Sequence, residues 1–142
     1  MAADFHLRVV TPDRTVLDRK VASVQFEGID GSYGIMAGHA PLMTGTVPGI
    51  VVIQHTDGSR EGLLVTNGFA EMRDNVLSLI CEAGEWAEDI DLDRAAAAEE
   101  RARSTIADST SQAGALPKAQ EALRRAQLRQ LLGKRSGTGD LR

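Results

Sequence analysis

The fold of this chain is decided by residues 50–65, which read Ile-Val-Val-Ile-Gln-His-Thr-Asp-Gly-Ser-Arg-Glu-Gly-Leu-Leu-Val. A β-branched run leads into Asp57 and Gly58, two residue types that accept the positive φ angles of tight hairpin turns. A second apolar run follows this turn. We therefore predict a β-hairpin in which residues 50–55 pair with residues 62–65.

Strand-like patterns extend in both directions from this hairpin. Residues 5–9 and 22–26 alternate between apolar and polar side chains, as a strand with one buried face does. A second tight turn is offered by Asp74 and Asn75. The spacing of such runs predicts an antiparallel β-sandwich, or a flattened barrel, of about ten strands over residues 1–86. No helix long enough for a βαβ crossover lies in this span, which disfavours a parallel nucleotide-binding sheet.

The pattern changes from strands to helices after Gly84. Asp91 is a good N-cap, and residues 92–108 are rich in helix-forming types. A polar break over residues 109–114 separates them from a second helical segment. The sequence therefore predicts an α+β chain in which a helical hairpin, residues 87–142, follows the sandwich.

The second helix has recognisable end signals. Pro117 suits its first turn, the helix is predicted to reach about Leu132, and Gly133 is placed to end it. The stretch from Gly137 to Arg142 is predicted to be a frayed tail without an apolar anchor.

The inward positions of the predicted hairpin are mostly alanines. They are Ala95, Ala98, Ala102, Ala119, Ala122 and Ala126. Alanine allows two helices to approach closely but removes little apolar area from water, and helices of about 15 residues are marginal alone. We expect the hairpin to depend on a partner or a ligand.

The two parts of the chain carry opposite charge. Residues 1–88 contain 12 acids and 6 bases, and residues 89–142 contain 8 acids and 10 bases, so the net charge of −4 divides into −6 and +2. Seven of those bases and two of those acids lie in residues 117–142. The sequence therefore indicates a basic arm on an acidic body.

Composition and motifs disfavour an enzyme. The chain has one cysteine and three scattered histidines, which disfavours a metal site, and it contains neither a phosphate-binding G-x-x-x-x-G-K-[ST] loop nor a G-x-S-x-G elbow. No apolar run is long enough to span a membrane, and the first residues lack the pattern of a signal peptide. We predict a non-catalytic protein that is neither membrane-spanning nor secreted.

Two other classes stay open from the residues alone. One is a stand-alone nucleotide-sensing module, and the other is a module that binds nucleic acid through its basic arm. The nucleic-acid reading is weakened because every aromatic residue precedes residue 89, so no aromatic side chain lies among the arginines.

The stretch of residues 28–42, Gly-Ile-Asp-Gly-Ser-Tyr-Gly-Ile-Met-Ala-Gly-His-Ala-Pro-Leu, resembles the signature of the epsilon subunit of F-type (rotary) ATP synthases. Later motifs agree in order and spacing, and the resemblance covers about residues 3–132. Two loop positions depart from the family pattern: Ala37 stands where the family usually has proline, and Asn67 where it often has glycine.

This resemblance implies a small rotor subunit of the central stalk, held between the gamma shaft and the ring of c subunits. It implies that Asp30, Ser32 and His39 contact the c ring, and that the hairpin reaches the alpha and beta catalytic subunits. It further implies a peripheral position on the cytoplasmic face of a bacterial membrane, with membrane association only through the complex, no required cofactor and no nucleic-acid partner.

The resemblance also implies a regulatory ATP site on the hairpin. The motif Ile/Leu-Asp-x-x-Arg-Ala is present as residues 90–95. The residues carried over to ATP are Asp91, Arg94, Ala95, Arg101, Arg125 and Arg129. Arginines spaced by seven and by four share one helix face, and guanidinium groups suit bidentate contacts with phosphate. The family further implies an inhibitory contact with the beta subunit through Arg124, Arg125 and Arg129.

Overall fold

A computed structural model describes residues 3–108, 115–137 and 141 of the chain, and it contains ten strands followed by two helices. The strands are β1 Phe5–Val10, β2 Thr15–Val21, β3 Ser23–Gly28, β4 Gly31–Met36, β5 Leu42–Thr46, β6 Gly49–Gln54, β7 Arg60–Val65, β8 Gly68–Arg73, β9 Val76–Cys81 and β10 Gly84–Trp86. A 3-10 turn, Ala87–Asp89, leads to helices α1 Leu92–Asp108 and α2 Ala115–Gly137. The predicted α+β class, about ten strands and then a helical hairpin, is confirmed.

The two predicted turns are where the sequence placed them. Strands β6 and β7 pair antiparallel, and Gly58 in the turn between them has a φ of 88°. Strands β8 and β9 also pair antiparallel, and their turn residues Asp74 and Asn75 have φ angles of 51° and 62°. Both hairpins therefore follow from residues that accept a left-handed backbone.

The ten strands form one continuous sheet that folds over a shared core. Its order is β10-β7-β6-β3-β5-β8-β9-β1-β2, with β4 paired to β3. One described pair, β1 with β9, is parallel, which the antiparallel prediction did not include. Strand β1 begins the sandwich and β9 lies near its end, so the two paired strands are far apart in the sequence. The buried side chains of the core are mainly leucine, valine, isoleucine and phenylalanine.

Helix α1 has the bounds that its capping residue predicts. The Asp91 Oδ1 atom accepts a hydrogen bond from the Arg94 backbone N–H at 3.1 Å, which satisfies one of the free donors at the helix start. The predicted polar break at residues 109–114 lies outside the described residues.

The predicted end of the second helix, at about Leu132 with Gly133 as its terminator, is wrong. Helix α2 continues through Gly133 to Gly137. The glycine is needed for close packing, because a Cβ atom there would lie 2.7 Å from Leu92 Cδ2 and 3.3 Å from Ile90 Cγ2. Most of the predicted frayed tail lies outside the described residues, but Leu141, which is described, is 1% exposed and is an apolar anchor that the sequence did not indicate.

Alanines form the seam between the helices, and leucines attach the hairpin to the sandwich. Ala95, Ala102, Ala119 and Ala126 are buried, whereas Ala98 and Ala122 are half-buried. A separate apolar cluster, called here the docking cluster, lies between α2 and the sandwich. It consists of Leu64, Ala87, Leu128, Leu132 and Leu141. Among the described helices, none is long and apolar enough to cross a membrane.

Candidate functional site

A cavity of about 330 Å³ lies where the hairpin meets the end of the sandwich, and we call it the arginine cavity. It is lined by Glu85, Asp89, Asp91, Arg94, Ala95, Ala98, Arg101 and Arg129. The lining comes from β10, the 3-10 turn, α1 and α2. The hairpin must therefore be docked on the sandwich for this cavity to exist.

Helix α1 supplies one wall of the cavity. Asp91 caps the helix, and Arg94 and Arg101 project from one face of it because they are seven residues apart. Ala95 is buried beside them and leaves space that a larger side chain would fill. Five of the six residues predicted for ATP thus lie together, namely Asp91, Arg94, Ala95, Arg101 and Arg129.

An ion pair connects the two sides of the cavity. The Arg129 Nε atom donates a hydrogen bond to Glu85 Oε2 at 2.8 Å, and both side chains are about one-third exposed. Arg129 belongs to α2 and Glu85 to β10, so the bond joins the hairpin to the sandwich. Three arginines and three carboxylates line the cavity, and an anion entering it has to compete with Glu85 for Arg129.

Arg125, the sixth predicted residue, does not reach the arginine cavity. It lines clefts on the other side of Arg129, beside Pro48 and Thr66, and lies 3.9 Å from the Glu121 carboxylate through its Nη1 atom. Arg124 is exposed, shares one of these clefts with Arg125 and lines another cleft near Pro48 without it. Neither arginine lines the cavity that contains the residues of the α1 motif.

Glu99 joins the two helices through hydrogen bonds. Its carboxylate accepts from Arg103 Nη2 at 2.8 Å on the same helix and from the Gln130 amide on α2. The hydrogen bond from Arg103, followed by that from Gln130, lowers the pKa of Glu99 below its usual value. Ionised Glu99 consequently stabilises the hairpin, and Arg103 is directed toward it and does not line the arginine cavity.

The three residues predicted for the c ring lie at two ends of the β3–β4 hairpin. Asp30 accepts a hydrogen bond from the Tyr33 hydroxyl at 2.8 Å, which raises the pKa of Tyr33, and Ser32 donates to Glu27 Oε1 at 2.7 Å. His39 follows the far end of β4, where its Nδ1 atom is 2.7 Å from the Ala40 carbonyl oxygen. The structure brings Asp30 and Ser32 together but does not bring His39 to them.

An apolar groove on the outer face of the sandwich was missed by sequence reasoning. Phe69 and Ile80 are directly opposite each other on β8 and β9, and they are 64% and 54% exposed. Ile29, at 69% exposed, and Val47 extend the apolar surface, which borders a groove of about 750 Å³. The sequence contains a signal for this groove, because Phe69 and Ile80 are apolar and occupy outward-facing positions of strands whose alternate residues are buried.

Metal binding finds no support in the part of the chain that the structure describes. Within residues 3–108, 115–137 and 141, no group of three or more His, Cys, Asp and Glu side chains is arranged to hold a metal ion.

Comparison with known sequences identifies the family of the chain. Residues 4–87 match the family described as ATP synthase, Delta/Epsilon chain, beta-sandwich domain. The ATP synthase epsilon chain of Nitratidesulfovibrio vulgaris strain DP4 is 36% identical over 126 residues, which is 89% of this chain and 92% of the relative. That of Pelotomaculum thermopropionicum is 40% identical over 104 residues, 73% of this chain and 77% of the relative.

Comparison with solved structures supports the same fold. A chain in the cryo-EM structure of the Euglena gracilis mitochondrial ATP synthase, OSCP/F1/c-ring in rotational state 1, aligns with a TM-score of 0.81 at 22% identity. The alignment covers 96% of this chain and 82% of that chain. A chain in the Tetrahymena thermophila mitochondrial ATP synthase central stalk and c-ring structure aligns with a TM-score of 0.61 at 14% identity, covering 90% and 95%.

Proposed function

The chain belongs to the family of ATP synthase epsilon chains, which are non-catalytic subunits, and from this premise we propose that it is the small rotor subunit between the gamma shaft and the c ring. This role places it in the central stalk, peripheral to the membrane and attached to it only through the complex. The observation that carries the proposal is the exposed apolar groove of the sandwich.

The apolar groove supports docking of a protein partner. Phe69 and Ile80 pair across neighbouring strands, Val10 continues the row on β1, and Gly45 on the other side of Phe69 has no side chain to cover it. Exposed apolar surfaces of this kind on a soluble protein mark interaction sites. We assign this groove to the gamma subunit, since a permanent rotor contact requires a dry, apolar interface.

The turn that carries Asp30 and Ser32 is the proposed contact with the c ring. Both residues are exposed, and their oxygen atoms are held in place by Tyr33 and Glu27. These ordered oxygen atoms can accept hydrogen bonds, so the turn suits a partner whose polar loops offer donors. His39 lies at the other end of β4 and belongs to a separate surface.

Co-purification with the gamma and c subunits tests the rotor proposal. Phe69→Asp introduces a charge into the apolar groove at a position exposed enough for the sandwich to keep its fold, so we expect co-purification to be lost. Thr15→Asp is the matched control, because Thr15 is an exposed strand residue outside the groove. Equal recovery of both variants in the complex, or binding to RNA in place of gamma, would contradict the proposal.

A second proposal concerns the hairpin, and the arginine cavity supports it. We propose that ATP is a regulatory ligand that binds with its phosphates between Arg94, Arg101 and Arg129. Bidentate contacts from guanidinium groups to phosphate oxygens would replace the Glu85 contact of Arg129 and draw the two helices onto the sandwich. Arg125 is outside this cavity and is assigned no phosphate contact.

Calorimetric titration of the isolated chain with ATP tests this second proposal. Arg94→Ala removes charge-assisted hydrogen bonds and should weaken binding about tenfold or more, since such bonds contribute roughly 1.5–3 kcal/mol. Arg103→Ala is the matched control on the same helix and should change affinity little, because Arg103 contacts Glu99. Equal losses in both variants, or no heat with the unmodified chain at millimolar ATP, would reject the site.

The same hairpin is proposed to inhibit ATP hydrolysis when it leaves the sandwich. Arg124 is exposed and Arg125 half-buried in the docked state, and both would become free to meet acidic side chains of the beta subunit. Arg129 would join them once its bond to Glu85 breaks. This brake uses the local excess of bases in the second helix, and ATP opposes it by stabilising the docked state.

A further inference from the structure

Helix α2 is attached to the sandwich through few apolar side chains. In the docking cluster, Leu128 and Leu132 come from α2, Leu64 from β7 and Ala87 from the 3-10 turn, and Leu141 joins them from beyond the end of the helix. Leu141 is 1% exposed, although the rest of its neighbourhood in sequence is polar or glycine-rich. Ile50, Val52 and Ile90, which are only partly buried, also pack against the cluster, so Leu141 is one of its four buried leucines.

Gly62 on β7 forms the floor on which two of these leucines lie. A Cβ atom added at Gly62 would be 2.4 Å from Leu132 Cδ1 and 2.8 Å from Leu141 Cδ1. Glycine weakens a strand interior, so its place in β7 is best explained by the close approach of another part of the chain. The leucine side chains fill the space that a side chain at Gly62 would occupy.

The backbone of Leu141 makes a long hydrogen bond to helix α2. Its backbone N–H donates to the Arg135 carbonyl oxygen at 3.4 Å, which is long for a hydrogen bond. Apolar contact with the docking cluster is the described contact of its side chain. Without Leu141, the apolar contact between α2 and the sandwich is reduced to the remaining members of the docking cluster and the residues packed against it.

We propose that Leu141 is a pin that holds helix α2 on strand β7, and that its withdrawal from the docking cluster releases the hairpin from the sandwich. The proposal deepens the regulatory function given above and rests on it for its biological role. Because Arg129 and Glu85 face each other only when α2 is docked, the pin also controls whether the arginine cavity exists. Leu141 lines no part of that cavity, so its effect on ATP is transmitted through docking alone.

Hydrogen exchange of the full chain without nucleotide tests the pin directly. Leu141→Ala should speed amide exchange in α1 and α2 by a factor on the order of 30 to 100, as expected for truncating a buried leucine. Exchange in β1, β8 and β9 should stay within about threefold of the unmodified chain, because these strands lie outside the docking cluster.

Three further variants separate the pin from general damage. Gly62→Val should release the helices as Leu141→Ala does, while Gly34→Val should not, because a Cβ atom at Gly34 meets nothing within 4 Å. Leu141→Met retains the apolar volume and should preserve slow exchange.

The results also distinguish the pin from the proposed ATP site. Helix exchange within about threefold of the unmodified chain in Leu141→Ala would overturn the pin, whatever Gly62→Val does, because a side chain at Gly62 also displaces Leu132. Fast exchange of the strands together with the helices would also overturn it, since α2 would then not be a separately released element. If the unmodified chain gives no calorimetric signal with ATP, the ATP proposal fails while the exchange result still decides the pin.

Discussion

The sandwich buries one continuous core of leucine, valine, isoleucine and phenylalanine, whereas the hairpin buries alanines between its helices and reaches the sandwich through a few leucines. Apolar area removed from water sets most of the stability of a domain, so the two regions differ greatly in how firmly they are held. We infer from this difference that the sandwich is a stable fold and that the hairpin docks on it reversibly.

The largest expected effect is in the sandwich core. Leu77 is fully buried, and Leu77→Ala should lower the free energy of unfolding by about 2–5 kcal/mol. The hairpin should be lost in the same transition, because its docking surface belongs to the sandwich. Urea unfolding measures this change. Leu131→Ala, at a leucine that is 52% exposed, should change the free energy of unfolding by less than about 0.5 kcal/mol. Equal losses of stability in Leu77→Ala and Leu131→Ala would contradict the difference between the two regions.

A smaller effect is expected at the cap of the hairpin. Asp91→Ala removes the side-chain acceptor of the Arg94 N–H and should destabilise α1 by about 1 kcal/mol. Hydrogen exchange should report this change in the helices and leave the core strands unaffected. Glu100→Ala, an exposed substitution on the same helix, should do much less. Destabilisation of the sandwich by Asp91→Ala would show that the two regions are not separable.

The smallest expected effect is a pH dependence that is confined to the hairpin. The pKa of Glu99 is lowered in the folded chain, so its ionised form contributes stability above its ordinary pKa, and this contribution is lost as the pH falls through the lowered pKa. Helix exchange should therefore accelerate in acid before the strands do. Glu99→Gln should remove this acceleration. If helix exchange in Glu99→Gln still accelerated in acid as in the unmodified chain, the acceleration would come from other carboxylates.

Much of the fold follows from local chemistry. Asp57 with Gly58, and Asp74 with Asn75, accept the backbone of tight turns, and Asp91 caps α1 at the predicted residue. What could not be read is set by contacts distant in sequence. The parallel pairing of β1 with β9 has no local signal. Glycine is typical of a helix end, but Gly133 lies inside α2, where Leu92 packs against it.

The candidate site was predictable to a similar extent. Helical spacing placed Arg94 and Arg101 on one face, and the structure brings Arg129 to them. Spacing within α2 did not reveal that Arg125 would lie beside Pro48, because this depends on how α2 docks on the sandwich. Glu85 was missed for the same reason, since its bond with Arg129 spans two elements.

The central claim is that a stable sandwich holds the rotor while a weakly docked hairpin regulates it. The most direct test is ATP hydrolysis by the assembled enzyme with and without residues 87–142 of this chain. We predict that the shortened chain still co-purifies with the gamma and c subunits and that hydrolysis rises. Unchanged hydrolysis in a complex that assembles normally would contradict the regulatory role of the hairpin, and failure to assemble would contradict the independence of the sandwich.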